Sequence, residues 1–219
     1  MHAVTTSASL SQQAEQACFD PASGLLGVIA QALSAKHAVV VHASGTKALA
    51  LVPERQEYFT ELAEDELAAF CRLPAASYVK KRLADAGLNP LLSQGVRGRN
   101  IDELQWRAAL YASGGRLLKG CGRDDVVLLK AWPNLTRIPG TPNAMRIAAL
   151  LTRYPTTVSV AHRLLKIPVE EMNEFYSAAH ASGLAVAVNR KPERMAEENI
   201  RPHRNRGLLG QLFERVIGL

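Results

Sequence analysis

Ala38-Val39-Val40-Val41-His42-Ala43-Ser44-Gly45-Thr46-Lys47-Ala48-Leu49-Ala50-Leu51-Val52 is the stretch on which the fold turns. Two runs rich in β-branched and aliphatic residues flank a short polar turn, the pattern of strand, turn, strand. Pro53-Glu54-Arg55-Gln56 reads as a second turn and Glu57-Tyr58-Phe59-Thr60 as a third short strand. Consecutive strands joined by short turns pair antiparallel, so the stretch predicts a small meander. Such a sheet buries a face under helices, and helical patterns lie on both sides of it. Upstream, Asp20-Pro21 offers a cap and a first-turn proline, after which Leu25, Leu26, Ile29 and Leu33 share a face. Downstream, Leu67, Phe70 and Cys71 mark one helix. Val79 and Leu83 mark another, with Lys80, Lys81 and Arg82 on its wet side and Gly87 at its end. Residues 91–100 form a linker or long loop, and Asn100 caps a helix bearing Leu104, Ala108 and Tyr111 that Gly114-Gly115 closes.

Composition narrows the class. The chain has 219 residues, 47% hydrophobic and 21% charged, which excludes collagen-like, disordered and coiled-coil chains. The apolar runs fall far short of the ~18 residues of a membrane span. Met1–Ser11 lacks a charged region followed by an apolar stretch, so no secretory signal is expected. Three cysteines, at 18, 71 and 121, are odd in number and widely spaced, as fits a reducing cytoplasm. The net charge of +6 is uneven: residues 1–70 carry 3 Lys/Arg against 8 Asp/Glu, and residues 71–140 carry 12 against 5. That asymmetry suits either an anionic partner or two regions that complement each other within one fold.

Repeated breaks at Pro133, Pro139, Gly140 and Pro142 suggest a domain boundary near residue 140. Beyond it, Thr141-Pro142 is a cap for a helix bearing Ala144, Ile147, Ala148 and Leu151. Thr157 caps a second helix with Val158, Ala161, Leu164 and Leu165. After Lys166-Ile167-Pro168, a third helix buries Met172, Phe175, Tyr176 and Ala179, and Leu184–Val188 reads as a strand. Residues 142–189 thus resemble the winged helix-turn-helix superfamily. That resemblance implies a third helix that enters the DNA major groove. This third helix instead carries Glu170, Glu171 and Glu174, with no Lys or Arg between Lys166 and Gly183, and carboxylates repel phosphates. The return strand of the wing is also missing after Val188.

The expected architecture is therefore α+β: a loose segment over 1–19, a helix-covered antiparallel meander in an α+β domain over 20–140, and a winged-helix-like domain over 141–189. A charged linker and an amphipathic helix follow over 190–219, where Leu208, Leu209, Leu212, Phe213, Val216 and Ile217 share one face. A helix of that length is marginal alone and needs its own core, a partner groove or a membrane interface.

No catalytic signature emerges. Ser44-Gly45-Thr46-Lys47 superficially resembles a phosphate loop but lacks the earlier glycine and the adjacent Gly-Lys, so it reads as a hairpin turn. The cysteines and His162 and His180 have no metal-ligand spacing, and no metal or cofactor is expected. Cys121, between glycines and near Lys119 and Arg123, is the best-placed thiol, and Trp106 and Trp132 read as core anchors. The leading reading is a non-enzymatic cytoplasmic regulatory or adaptor protein that binds a partner protein through Glu170, Glu171 and Glu174 and through Leu209, Phe213 and Val216. A DNA-binding regulator is the alternative, with Arg163 and Lys166 on phosphates and Arg190 and Lys191 as the wing. A second alternative rests on Arg97, Arg99 and Asp102: Arg99-x-x-Asp102 looks like the short motif by which some bacterial signalling proteins bind cyclic dinucleotides. The plainer reading of that motif is a solvated loop with a helix-capping acid, because two fixed positions in four recur by chance.

Overall fold

Backbone pairing follows the quoted stretch. In the computed structural model, which describes residues 18–43, 48–83 and 97–190, the chain opens with β1 (Cys18–Phe19) and a 3-10 turn over Pro21–Ser23. Asp20 caps that turn by accepting the Ala22 N–H at 2.9 Å. Helix α1 (Leu25–Ala35) follows, then β2 (Val39–Ala43), β3 (Leu49–Val52) and β4 (Glu57–Thr60). These three strands form the expected antiparallel meander, with Val40 opposite Ala50 and Ala50 opposite Phe59. The period-2 alternation sends Val39, Val41, Leu49, Leu51 and Tyr58 into the main core under the helices. Ala50, Val52 and Phe59 pack on the other face with Ala38 and Val40.

Helix α2 (Glu64–Cys71) comes next, as expected. The helix expected around Val79 is instead a strand, β5 (Tyr78–Arg82), antiparallel to β2. Lys80 and Arg82 lie opposite Val41 and Val39, so the basic run decorates the two sides of an edge strand rather than the wet side of a helix. The Tyr78 hydroxyl fixes its start by donating to the Phe70 carbonyl at 2.6 Å. Strand β6 (Arg99–Asn100) closes the opposite edge, giving the order β5-β2-β3-β4-β6.

Helix α3 (Ile101–Ser113) starts where Asn100 accepts the Asp102 N–H at 2.9 Å and ends on Gly114 and Gly115, both with left-handed φ. Then come β7 (Leu117–Leu118), parallel to β1, and β8 (Val126–Leu129). Three helices follow: α4 (Ala144–Arg153), α5 (Val158–Leu165) after the short β9 (Thr156–Thr157), and α6 (Val169–Ala181). Strand β10 (Ala185–Ala187) completes a second sheet in the order β10-β8-β9. Thr157 caps α5 as read from sequence, accepting the Val160 N–H at 3.2 Å. Thr141 does not cap α4, since its buried hydroxyl has no partner and the acceptor at that terminus is Glu171.

The expected break near residue 140 does not divide the core. Trp106 on α3 meets Phe175 on α6 edge to face at 5.4 Å, and its indole N–H donates to the Pro139 carbonyl at 2.8 Å. Ser177 accepts the Leu118 N–H at 2.9 Å, and Tyr176 donates to Asp125 at 2.7 Å. One apolar cluster runs from Phe19 to Ala185, and the compact unit holding it extends to Asn189. The proline and glycine breaks shape a loop on that core; they do not link two cores. No helix among the described residues is long and apolar enough to cross a membrane.

Candidate functional site

Helix α6, expected from sequence to be the third helix of a winged-helix-like domain, lies in the core. Met172, Phe175, Tyr176 and Ala179 are buried as expected, and so are Glu171, Asn173, Ser177 and Ala178. Burial of Tyr176 pushes its hydroxyl pKa up, which keeps it a neutral donor to Asp125. Glu171 is therefore not an exposed partner contact. Its carboxylate accepts the Asn143 N–H and the Asn143 side-chain amide (2.9 Å), so it caps α4 from across the bundle. Glu170 stays exposed beside the Gly115 turn and Glu174 is half-buried. Together they do not make a free acidic face.

The alternative residues are scattered. Arg97 is exposed, Arg99 sits in β6 opposite Tyr58, and Asp102 is an exposed first-turn acid of α3. Arg163 and the left-handed Lys166 lie at the C-terminal end of α5, where the Arg163 guanidinium donates to the Ser159 carbonyl at 2.8 Å. Arg190 is exposed at the end of the described chain. Lys191, Leu209, Phe213 and Val216 lie outside the described residues, as do Ser44–Lys47 and Gly87. Cys121 is buried, which disfavours reactivity. Among the described residues no His, Cys, Asp and Glu cluster could hold a metal.

A different surface gathers chemistry. Residues 126–169 contain no Asp or Glu, but they carry Lys130, Arg137, Arg146, Arg153, Arg163 and Lys166. Arg137 reaches Glu103 at 3.0 Å, while the other five have no ion-pair partner among the described residues. The same stretch exposes large apolar side chains. Trp132 is 50% exposed rather than a core anchor, Met145 67%, Tyr154 65% and Leu164 62%. Trp132 and Met145 line one shallow notch of about 480 Å³ with Pro133, Leu135 and Thr136. Arg146, next to Met145, donates to the Leu165 carbonyl at 2.7 Å and so ties α4 to the end of α5 that carries Leu164. The sequence signal for this face was a long run without carboxylates; the exposure of Trp132 and Met145 had no sequence signal.

A second concavity lies between β1, the start of α1 and the ends of α2 and α3. It measures about 550 Å³ and is lined by Phe19, Leu25, Leu73, Arg72, Tyr111 and Arg116 among others. The Arg72 guanidinium sits over the Tyr111 ring at 5.6 Å and that of Arg116 over Phe19 at 5.9 Å. Tyr111 is fixed by donating to Glu64 at 2.7 Å, and Glu64 pairs with the buried Arg107 at 3.0 Å. Burial, then the bond to Glu64, raises the Tyr111 pKa, so the ring stays neutral. Burial likewise pushes the Cys71 thiol up to about 12.

No family model matches the chain, and no curated protein or solved structure matches it.

Proposed function

We propose that this is a non-enzymatic, cytoplasmic regulatory or adaptor protein that works by binding a partner protein. Its docking face is the surface of residues 126–169, and the partner presents an acidic segment with apolar anchors. One observation carries this reading: Trp132 and Met145 stand exposed around one notch, in a stretch that has no carboxylate of its own and whose five cations other than Arg137 have no carboxylate partner among the described residues. Large exposed apolar groups on one face mark interaction sites, and unpaired cations select acidic partners while steering the encounter. The winged-helix-like reading draws support from strand β8, which lies antiparallel between β9 and β10. The three cysteines form no disulfide, which fits a reducing compartment.

The DNA reading keeps the same cations but is weakened at its reading helix, because most of α6 is buried and its exposed first turn carries Glu170. It would rest on phosphate contacts by Arg163, Lys166 and Arg190. Selection of the full chain against a displayed peptide library separates the two. Enrichment of peptides with acidic residues between helically spaced apolar ones is expected. Their affinity should fall at least about tenfold, roughly 1.4 kcal/mol, in Leu164→Asp and Met145→Asp. No enrichment, or affinity indifferent to both changes, would refute the docking face. Tight binding to mixed-sequence duplex DNA that collapses between about 50 and 200 mM salt would move the assignment to nucleic acid.

A further inference from the structure

We propose that the groove bounded by Arg72, Arg116 and the start of α1 binds a phosphorylated small molecule. Three features converge on it. First, its volume of about 550 Å³ lies within the roughly 300–1,000 Å³ range of small-ligand sites. Second, two guanidinium groups stand on its walls, and neither has a carboxylate in ion-pair reach among the described residues. Both are oriented before any ligand arrives. Arg72 lies on the Tyr111 ring, and Arg116 lies on Phe19 while donating to the Ser113 (3.0 Å) and Ala112 (3.2 Å) carbonyls. Holding a planar fork in place removes most of the ordering cost of binding an oxyanion. Third, α1 begins on the groove wall at Gly24, Leu25 and Leu26, with no side-chain cap and no acid in its first turn, although the Gly24 N–H is taken by the Pro21 carbonyl. The first amides of a helix lack intrahelical acceptors and carry the positive end of its dipole.

The one carboxylate on the groove wall is already occupied. Asp20 accepts the Ala22 N–H and pairs with Lys119 at 3.3 Å, and these contacts hold its pKa below the usual range. Asp20 therefore stays charged, and the Lys119 ammonium beside it offsets that charge. The Arg72 fork, with the Arg116 N–H groups that the Ser113 and Ala112 carbonyls leave over, suits the three oxygens of a phosphomonoester better than the two of a carboxylate. The space left over is walled by Phe19, Leu25, Leu73 and Tyr111, which suits a compact organic body. The groove is distinct from the 126–169 face and would stand if that face proved to bind nothing.

The test is thermal unfolding and calorimetric titration of the full chain with ribose 5-phosphate and adenosine 5′-monophosphate. Ribose, adenosine and inorganic phosphate at equal ionic strength are the controls. The expected result is a rise in Tm with a phosphomonoester and none with its dephosphorylated counterpart. Arg72→Gln, at an exposed position that does not hold the fold, should weaken the affinity at least about tenfold. Arg116→Gln should do the same, and Arg72→Lys should restore only part of the loss because it keeps charge without the fork. No Tm shift with either phosphomonoester would overturn the proposal. So would a shift that inorganic phosphate reproduces in full, or one that Arg72→Gln leaves unchanged.

Discussion

Around the five-stranded sheet, cations and carboxylates meet: Arg107 with Glu64, Arg55 with Glu57, Lys119 with Asp20. Across residues 126–169 there is no Asp or Glu, and five cations face outward with no carboxylate partner among the described residues, a condition that Arg72 and Arg116 share in the other region. The apolar surface divides in the same way. Before residue 126, Val79 is the one large apolar side chain among the described residues that is exposed; after it come Trp132, Met145, Tyr154, Val160, Leu164, Val186 and Val188. The strand edges differ too. β5 carries Lys80, Lys81 and Arg82 along its free edge, a pattern that blunts edge pairing, while β10 presents Ala185–Ala187 with no charge. Yet both regions share one core through Trp106 and Phe175. The difference therefore lies in surface chemistry rather than in separate folding units. A surface that leaves this much apolar area and unmatched charge in water is one that a partner is expected to cover.

That comparison can be broken at its shared root. Phe175→Ala should destabilise the whole chain by about 3–5 kcal/mol, in a single denaturant transition seen by both helical and strand signals. Two separate transitions would mean that the regions fold independently.

A second effect belongs to the sealed half. The buried Cys71 thiol titrates at about 12 against an ordinary 9.0. A neutral thiol held in the folded state favours folding at all pH values below 9.0. That contribution is lost as pH rises from 9.0 through about 12, because the unfolded chain ionises first. Urea midpoints measured across that window should decline in the wild type and decline less steeply in Cys71→Ala.

A smaller loss is expected where the two regions join. Glu171→Ala removes the acceptor at the start of α4 and should cost about 1–2 kcal/mol of unfolding free energy. Glu170→Ala, at an exposed site, serves as its control and should change stability by less than about 0.5 kcal/mol. The smallest stability effects belong to the open face. Met145→Asp and Leu164→Asp should each stay within about 0.5 kcal/mol, so that any loss of binding is not a loss of fold.

What the sequence made legible depended on how much of each side chain's environment was local. The meander was readable because Val39, Val41, Leu49 and Leu51 alternate toward one core. The caps at Asp20, Asn100 and Thr157 were readable because their bonds close within three residues. β5 was not, since an edge strand wet on both faces shows no alternation, and three consecutive cations mimic the outside of a helix. Glu171 misled for a related reason. A glutamate in a first turn is normally solvated, and only the approach of Asn143, 28 residues away, makes it an interior acceptor. The groove had no motif at all, because Arg72 and Arg116 come together only when α2 and α3 end at the same place. The open face was half legible: its missing carboxylates stand in the sequence, while the exposure of Trp132 and Met145 does not.

The most direct test of the proposed docking face compares two equally small perturbations, one in each region. A fluorescent acidic peptide selected by the wild-type chain is titrated by anisotropy against Leu164→Asp and Val79→Asp. Both positions expose an apolar side chain, 62% for Leu164 and 67% for Val79, so both variants should fold. The account predicts an affinity lost by about tenfold or more in Leu164→Asp and unchanged in Val79→Asp. Equal losses in the two variants, or a loss confined to Val79→Asp, would contradict it.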